Sequence, residues 1–192
     1  MSGRTFGTVV AVVVTTALLG LMAVEFGHAV RDLGLPLSDA GVIRQQAGEK
    51  HLDPALIAAV IYAETKFDPR PSSAGAQGLM QILPATAYFI AHLSGGSRFT
   101  AGDLATPSIN VAYGSYYLRY LLDHYNGNET LAVAAYNGGQ ANVDSWVAQA
   151  NAEGRQLTVG AIPFGETRAY VQRVLSAQQA YRSAYPRQLG LQ

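Results

Sequence analysis

Residues 64–81 read ETKFDPRPSSAGAQGLMQ: a carboxylate, a loop rich in Pro, Ser and Gly, and a return to apolar sequence at Leu79. The stretch just before it, DPALIAAVIYA over 53–63, is strongly apolar. Asp53 followed by Pro54 is an N-cap followed by the favoured first helical residue, and good helix formers then continue without a breaker. The pattern predicts a helix over 54–66 with Glu64 near its C-terminal end. Ile61, Val60 and Ile57 stand three, four and seven residues before Glu64, so the carboxylate shares the apolar stripe. Desolvation on that stripe raises a carboxyl pKa, and the partial negative charge of the helix C-terminus pushes the same way. An acid kept protonated near neutral pH can serve as a general acid. The same position also suits a residue that merely ends the stripe at the domain surface.

Working outward, composition bounds the classes of function. The 192 residues carry 13 basic and 13 acidic side chains, a formal net charge of zero. There is no basic footprint for nucleic acid and no acidic tail. Cysteine is absent, which excludes disulfides, thiolate metal sites and a cysteine nucleophile within this chain. Eleven Tyr stand beside six Phe and one Trp, and Tyr offers both a flat apolar face and a hydroxyl.

At the N-terminus Arg4 precedes an uncharged run, Phe6 to Val24, of 19 residues. That length just suffices to cross a hydrocarbon core as a helix. It is longer than a typical signal core and no clear A-x-A site follows it. A retained anchor is therefore the favoured expectation over a cleaved signal peptide, with Arg4 on the cytoplasmic side and the rest exported. The expected organisation is 1–28 as anchor or signal peptide, 29–37 as linker, 38–186 as the folded domain and 187–192 as a tail.

Within the domain, Ser38 is a candidate N-cap for a helix over 39–49. After the helix at 54–66, Pro69, Pro71, Ser72, Ser73 and Gly75 form a loop, and a short helix is expected over 76–82. Pro84 opens PATAYFIAHL, stopped by Gly95 and Gly96, and Pro107 opens a long helix to about Tyr125. The apolar spacings in that long helix mark it as a central core helix with Tyr as packing. A short apolar helix over 129–136 ends at Asn137-Gly138-Gly139. Helices over 140–149 and 165–185 follow, separated by a loop over 150–161. No segment alternates with period two, so the domain is expected to be all-α.

The four His residues, His28, His51, His92 and His124, lack the paired spacing of a metal-binding helix. Ser72 and Ser73 lie outside any G-x-S-x-G context, and no strand precedes the glycines of AGAQG. No metal and no cofactor is expected. What remains is one acid at a helix end, a polar loop, an Asn at a helix end and many tyrosines, a set that suits glycosidic bond cleavage.

The segment 64–81 resembles the first motif of lytic transglycosylases of the SLT-domain kind: Glu64, Phe67, Pro69, Ser72, Ala74, Gly75, Ala76, Gly78, Leu79, Met80 and Gln81 match it. Further matches follow in the family's order. They are Asn110, Gly114, Tyr117 and Leu118, then AAYNGG at 134–139, then Pro163, Glu166, Thr167, Tyr170 and Val171. Together they cover about residues 40–180. Thr65 stands where the family has Ser, and the loop between Pro69 and Ser72 is one residue short. Either Ser72 or Ser73 can therefore fill the serine position that contacts substrate.

The resemblance implies a lysozyme-like helical domain, preceded by the N-terminal helix, with a groove for peptidoglycan glycan strands. In that scheme Glu64 protonates the oxygen linking N-acetylmuramic acid to N-acetylglucosamine. As a carboxylate it then takes the proton of the C6 hydroxyl, which closes a 1,6-anhydro ring. Tyr136 and Asn137 would sit at the cleavage site, Met80 and Gln81 would line the groove, and Tyr170 would approach the acid or the sugar. Glu166 belongs to the periphery of the family's site; facing Glu64 across a water it would permit hydrolysis, and otherwise it is a first-turn residue favoured by the helix dipole. The implied partners are glycan strands, the cytoplasmic membrane through the N-terminal helix, and a cell-envelope secretion complex if the domain is a wall-binding module.

Overall fold

The computed structural model describes residues 34–70, 72–96 and 98–191; the Phe6–Val24 run lies outside them. The chain divides into Met1–Pro36 and Leu37–Gln192, and the second unit holds the elements that follow. These are α1 (Ala40–Lys50), α2 (Pro54–Thr65), α3 (Pro84–Ser94), a 3-10 turn at Ala101–Ala105, α4 (Pro107–His124), α5 (Glu129–Gly138), α6 (Gln140–Ala152), a 3-10 turn at Val159–Ala161, α7 (Gly165–Ala184) and α8 (Pro186–Leu189). Among the described residues the fold is all-α, with one isolated β-bridge between Gln77 and Ile82. None of the described helices is long and apolar enough to cross a membrane.

Helix α2 supplies the longest unbroken buried run of the core. Its residues Ala55 to Ile61 are all at most 1% exposed, as a helix apolar on every side requires. Each Leu, Ile or Val so buried contributes about 1.5–3 kcal/mol. Its main neighbour is α7, whose Tyr170, Val171, Val174, Ala177, Gln178 and Tyr181 are buried. Asp53 caps α2 as expected, accepting from the Ala55 amide at 3.0 Å. The same carboxylate accepts from Gln178 at 2.7 Å and from Arg182 at 2.8 and 3.0 Å, so the cap also clamps α2 to α7.

The structure departs from the sequence expectations at several places. Ser38 does not cap α1: Asp39 holds that position in a left-handed conformation with no side-chain cap, and the Ser38 hydroxyl donates to its carboxylate at 2.8 Å. The short helix expected at 76–82 is a tight turn, closed by hydrogen bonds both ways between Gln77 and Ile82. α5 runs through Asn137 to Gly138, and only Gly139 separates it from α6. α6 extends to Ala152, and the connection after it contains the 3-10 turn Val159–Ala161. α4 buries Asn110, Val111, Gly114, Ser115, Leu118, Leu121 and Leu122, while its tyrosines Tyr113, Tyr116, Tyr117 and Tyr120 are only half-buried and pack at the margin of the core.

The turn at 77–82 is built from a distance. The buried Asn110 of α4 accepts from the Met80 amide at 2.8 Å and donates to the carbonyls of Gln77 at 2.8 Å and Leu104 at 3.1 Å. Gly78 has φ +73°, and a Cβ there would lie 2.1 Å from Asn110 Nδ2 and 2.6 Å from the Leu104 carbonyl. Both facts require glycine. Gly114 admits Met80 in the same way, since a Cβ would meet its Sδ at 2.4 Å.

Candidate active site

Glu64 occupies the last turn of α2 and is half-buried. Beyond it the chain leaves the helix through two successive left-handed residues, Lys66 (φ 52°) and Phe67 (φ 64°), a conformation that costs free energy for residues with a Cβ. The Lys66 amide reaches back to the Tyr62 carbonyl at 3.1 Å, and the Phe67 ring packs against Tyr181 at 6.2 Å between centroids. These contacts hold the turn that swings the loop back over the acid. Thr65 pins the other side: its hydroxyl lies 2.9 Å from the Leu79 carbonyl and 3.1 Å from that of Ile61. The replacement of Ser by Thr thus keeps a hydroxyl that joins α2 to the 77–82 turn.

The Tyr170 hydroxyl donates to Glu64 Oε1 at 2.7 Å, across 106 residues of sequence. Burial raises the Glu64 carboxyl from 4.5 to about 7, against the opposing pull of the Tyr170 hydrogen bond and the Arg173 charge. Burial, and after it the Glu64 charge, push the phenols of Tyr136 and Tyr170 well above their ordinary value. Both therefore remain protonated donors. Since Oε1 accepts from Tyr170, Oε2 is the oxygen left to carry the proton of the acid form. Glu64 can accordingly exist near neutral pH as acid or as carboxylate, and it can exchange between the two.

Glu64 opens on a cleft of about 360 Å³ lined also by Ala63, Thr65, Lys66, Asp68, Arg70, Ser72 and Gln81. Of the two candidate serines, Ser72 lines this cleft, and its hydroxyl accepts from the Ala76 amide at 2.9 Å. Ser73 is exposed outside the lining set. Gln81 lines the cleft with φ 48°, its amide nitrogen donating to Gly78 at 2.9 Å and Arg70 at 3.1 Å. Met80 does not line it: the side chain is fully buried, because the turn points it at the space Gly114 leaves open. Its backbone still serves the site, accepting from the Tyr136 hydroxyl at 2.9 Å. Asn137 sits at the end of α5 and accepts from Thr167 of α7 at 2.9 Å. Glu166 is exposed in the first turn of α7 and outside the cleft lining. Asp68, the second carboxylate of the lining, is exposed and paired with Arg70 at 2.8 Å.

Sequence reasoning assigned no role to Asn110, Thr65 or Thr167, which support the site from behind. For Asn110 the available signal was its place in the second motif. A larger cleft of about 630 Å³ lies between the end of α1 and α4. Its carboxylates, Glu49 and Asp123, are 49% and 69% exposed and paired to Lys50 and Arg119. Size alone therefore does not mark the chemistry; the desolvated acid does. Among the described residues no group of three or more His, Asp or Glu side chains is placed to hold a metal.

A helical domain in which, among the described residues, the one carboxylate raised far above its ordinary value ends a buried helix at the edge of a cleft belongs to a recognisable class. The family model for the transglycosylase SLT domain matches residues 41–159, and the chain belongs to that family. The soluble lytic murein transglycosylase of Escherichia coli (strain K12) is 33% identical over 152 residues, covering 77% of this chain and 23% of its own. The fold is similar to that of the lytic transglycosylase Slt from Pseudomonas aeruginosa, solved as an inactive mutant: TM-score 0.73, 32% identity, 79% of this chain and 25% of that one. The 70 kDa soluble lytic transglycosylase of Escherichia coli gives a TM-score of 0.74 at 30% identity, over 80% of this chain and 25% of its own. The chain thus spans about a quarter of the length of these relatives.

Proposed function

We propose that this protein is a lytic transglycosylase acting on peptidoglycan, with Glu64 as acid and then base. The observation that carries the proposal is the Glu64–Tyr170 pair: a desolvated carboxyl raised to about 7 and hydrogen-bonded at 2.7 Å at the edge of a cleft. Protonated Glu64 gives its proton to the oxygen between N-acetylmuramic acid and N-acetylglucosamine, and the C1–oxygen bond breaks. The muramoyl C6 hydroxyl then bonds to C1 as the Glu64 carboxylate takes its proton, which restores the acid. No water is consumed and no second carboxylate is needed, in contrast to a glycosidase with two carboxyl groups at set separations. Ser72 and Gln81 line the groove, and Tyr136 and Asn137 flank the cleavage point at the end of α5. The support from relatives is that the similar Escherichia coli proteins are named a soluble lytic murein transglycosylase and a soluble lytic transglycosylase.

Residues 1–28 would hold the domain at the exported face of the cytoplasmic membrane, within reach of the wall; the support is Arg4 ahead of the 19-residue uncharged run Phe6 to Val24. Hydrolysis of the same polymer is the second reading. The presence of Asp68 in the cleft lining favours testing it.

The test is mass spectrometry of the soluble products from purified peptidoglycan treated with the wild-type protein and its Glu64→Gln, Asp68→Asn and Glu166→Gln variants. The proposal expects anhydromuropeptides that vanish only with Glu64→Gln. Reducing-end products lost with Asp68→Asn or Glu166→Gln would instead establish a hydrolase. Products from none of the proteins would indicate a wall-binding module, such as one serving a secretion complex.

A further inference from the structure

Glu64 has more neighbours than the transfer of its proton requires. Tyr170 and Arg173 stand three residues apart on α7 and so share a face. The Arg173 guanidinium carbon lies 5.7 Å from the centroid of the Tyr170 ring, in cation–π range. The hydroxyl of that same ring donates to Glu64 at 2.7 Å. The buried Tyr170, 2% exposed, thus lies between two more accessible groups, the exposed Arg173 against its ring face and the half-buried Glu64 at its hydroxyl.

We infer that Arg173 is a positioning residue for Glu64: seated over the Tyr170 ring, it holds the hydroxyl of that ring on the Glu64 carboxyl. Arg173 touches no reacting atom in this scheme. It works through the ring, by holding Tyr170 over the acid, and through its field, which opposes the desolvation of Glu64. The Arg173 charge is among the influences that lower the Glu64 carboxyl, in accord with the geometry. Among the described residues no other cation lies over the Tyr170 ring. From α5, Tyr136 stays protonated. From the loop, Asp68 and Arg70 neutralise one another at 2.8 Å, and Lys66 is exposed at the cleft. Earlier on α7, Glu166 is exposed one turn before Tyr170. An exposed guanidinium is screened by salt on a length of about 10 Å at 0.1 M, so its influence must fall as ionic strength rises.

The consequence for turnover rests on the reading of Glu64 as acid and base, whereas the coupling of Arg173 to Glu64 does not. The experiment therefore reads the carboxyl directly. NMR titration of the full chain carrying carboxyl-labelled Glu, with the Glu64 signal assigned by its loss in Glu64→Gln, is run for wild type, Arg173→Gln and Arg173→Lys at low and molar salt. The inference expects the Glu64 midpoint to move up in Arg173→Gln, to return toward wild type in Arg173→Lys, and the difference to shrink in molar salt. A midpoint unmoved by Arg173→Gln, or moved equally by Arg173→Lys, would overturn it. Activity of the same variants against pH then tests the consequence: the alkaline limb follows the NMR midpoint if Glu64 is the acid. A shifted midpoint with an unshifted limb counts against the catalytic reading and leaves the coupling standing, and an unshifted midpoint beside an inactive Glu64→Gln does the reverse.

Discussion

Glu64 is held where its charged form is disfavoured, and that has a cost in stability whose sign can be worked out. The folded carboxyl titrates at about 7 against 4.5 for an unperturbed one, so between those values the native state binds more protons than the unfolded chain. Stability attributable to this group is fully present below pH 4.5 and is lost as pH rises through about 7, a change of the order of 3 kcal/mol at most. Gln cannot ionise and fits nearly the same space. Glu64→Gln is therefore expected to unfold at a higher temperature than wild type above pH 7, with the gap closing below pH 5; calorimetry across that range checks it. A gap independent of pH would show that Glu64 is solvated and ordinary. At this scale the sequence was informative about placement: the stripe Ile57, Val60, Ile61 put the acid in an apolar setting. The Tyr170 partner was legible only through the family's motif, because a contact across 106 residues leaves no local pattern.

At the scale of elements, the helix boundaries near prolines were readable and the 77–82 turn was not. Asp53-Pro54, Pro84 and Pro107 each announce a helix start that the structure keeps. AQGLMQI, by contrast, contains good helix formers, and what prevents a helix is remote: Asn110 captures the Met80 amide and the Gln77 carbonyl from 30 residues or more away. Tertiary hydrogen bonds override local propensity here. Asn110→Ala removes three hydrogen bonds and leaves the buried Met80 amide unpaired, at a cost of about 2–4 kcal/mol. Denaturant unfolding should show that loss together with reduced activity, because the Met80 carbonyl positions Tyr136 and the Leu79 carbonyl positions Thr65. A stable and fully active Asn110→Ala protein would mean that the turn holds its shape without α4. The missed cap of α1 has a local origin: Ser38 and Asp39 are both good cap residues, but their side chains bond to each other and neither caps the helix.

Over the folded unit, one pairing organises the rest. α2 carries Glu64 at its C-terminal end and Asp53 at its N-terminal end, and α7 grips both ends, with Tyr170 at the first and Gln178 and Arg182 at the second. The all-α class followed from the absence of period-two segments, and the burial of α2 from its composition. The antiparallel register of α2 and α7 did not follow, since nothing local in either helix specifies it. Asp53→Ala should remove the cap and the clamp together, destabilising the protein by about 2–3 kcal/mol. The clamp is the larger share, so Gln178→Ala combined with Asp53→Ala should add little to the loss. Additive losses in that double-mutant cycle would show that the Asp53 end of the α2–α7 pairing is held by something other than the Gln178 contact.

The central claim is that bond cleavage at Glu64 uses an oxygen of the sugar and none from solvent. Its most direct test is digestion of peptidoglycan by the wild-type protein in water enriched in oxygen-18, with mass analysis of the released muropeptides. Anhydro products free of the label are expected. Products with reducing ends carrying oxygen-18 would contradict it and make the protein a hydrolase.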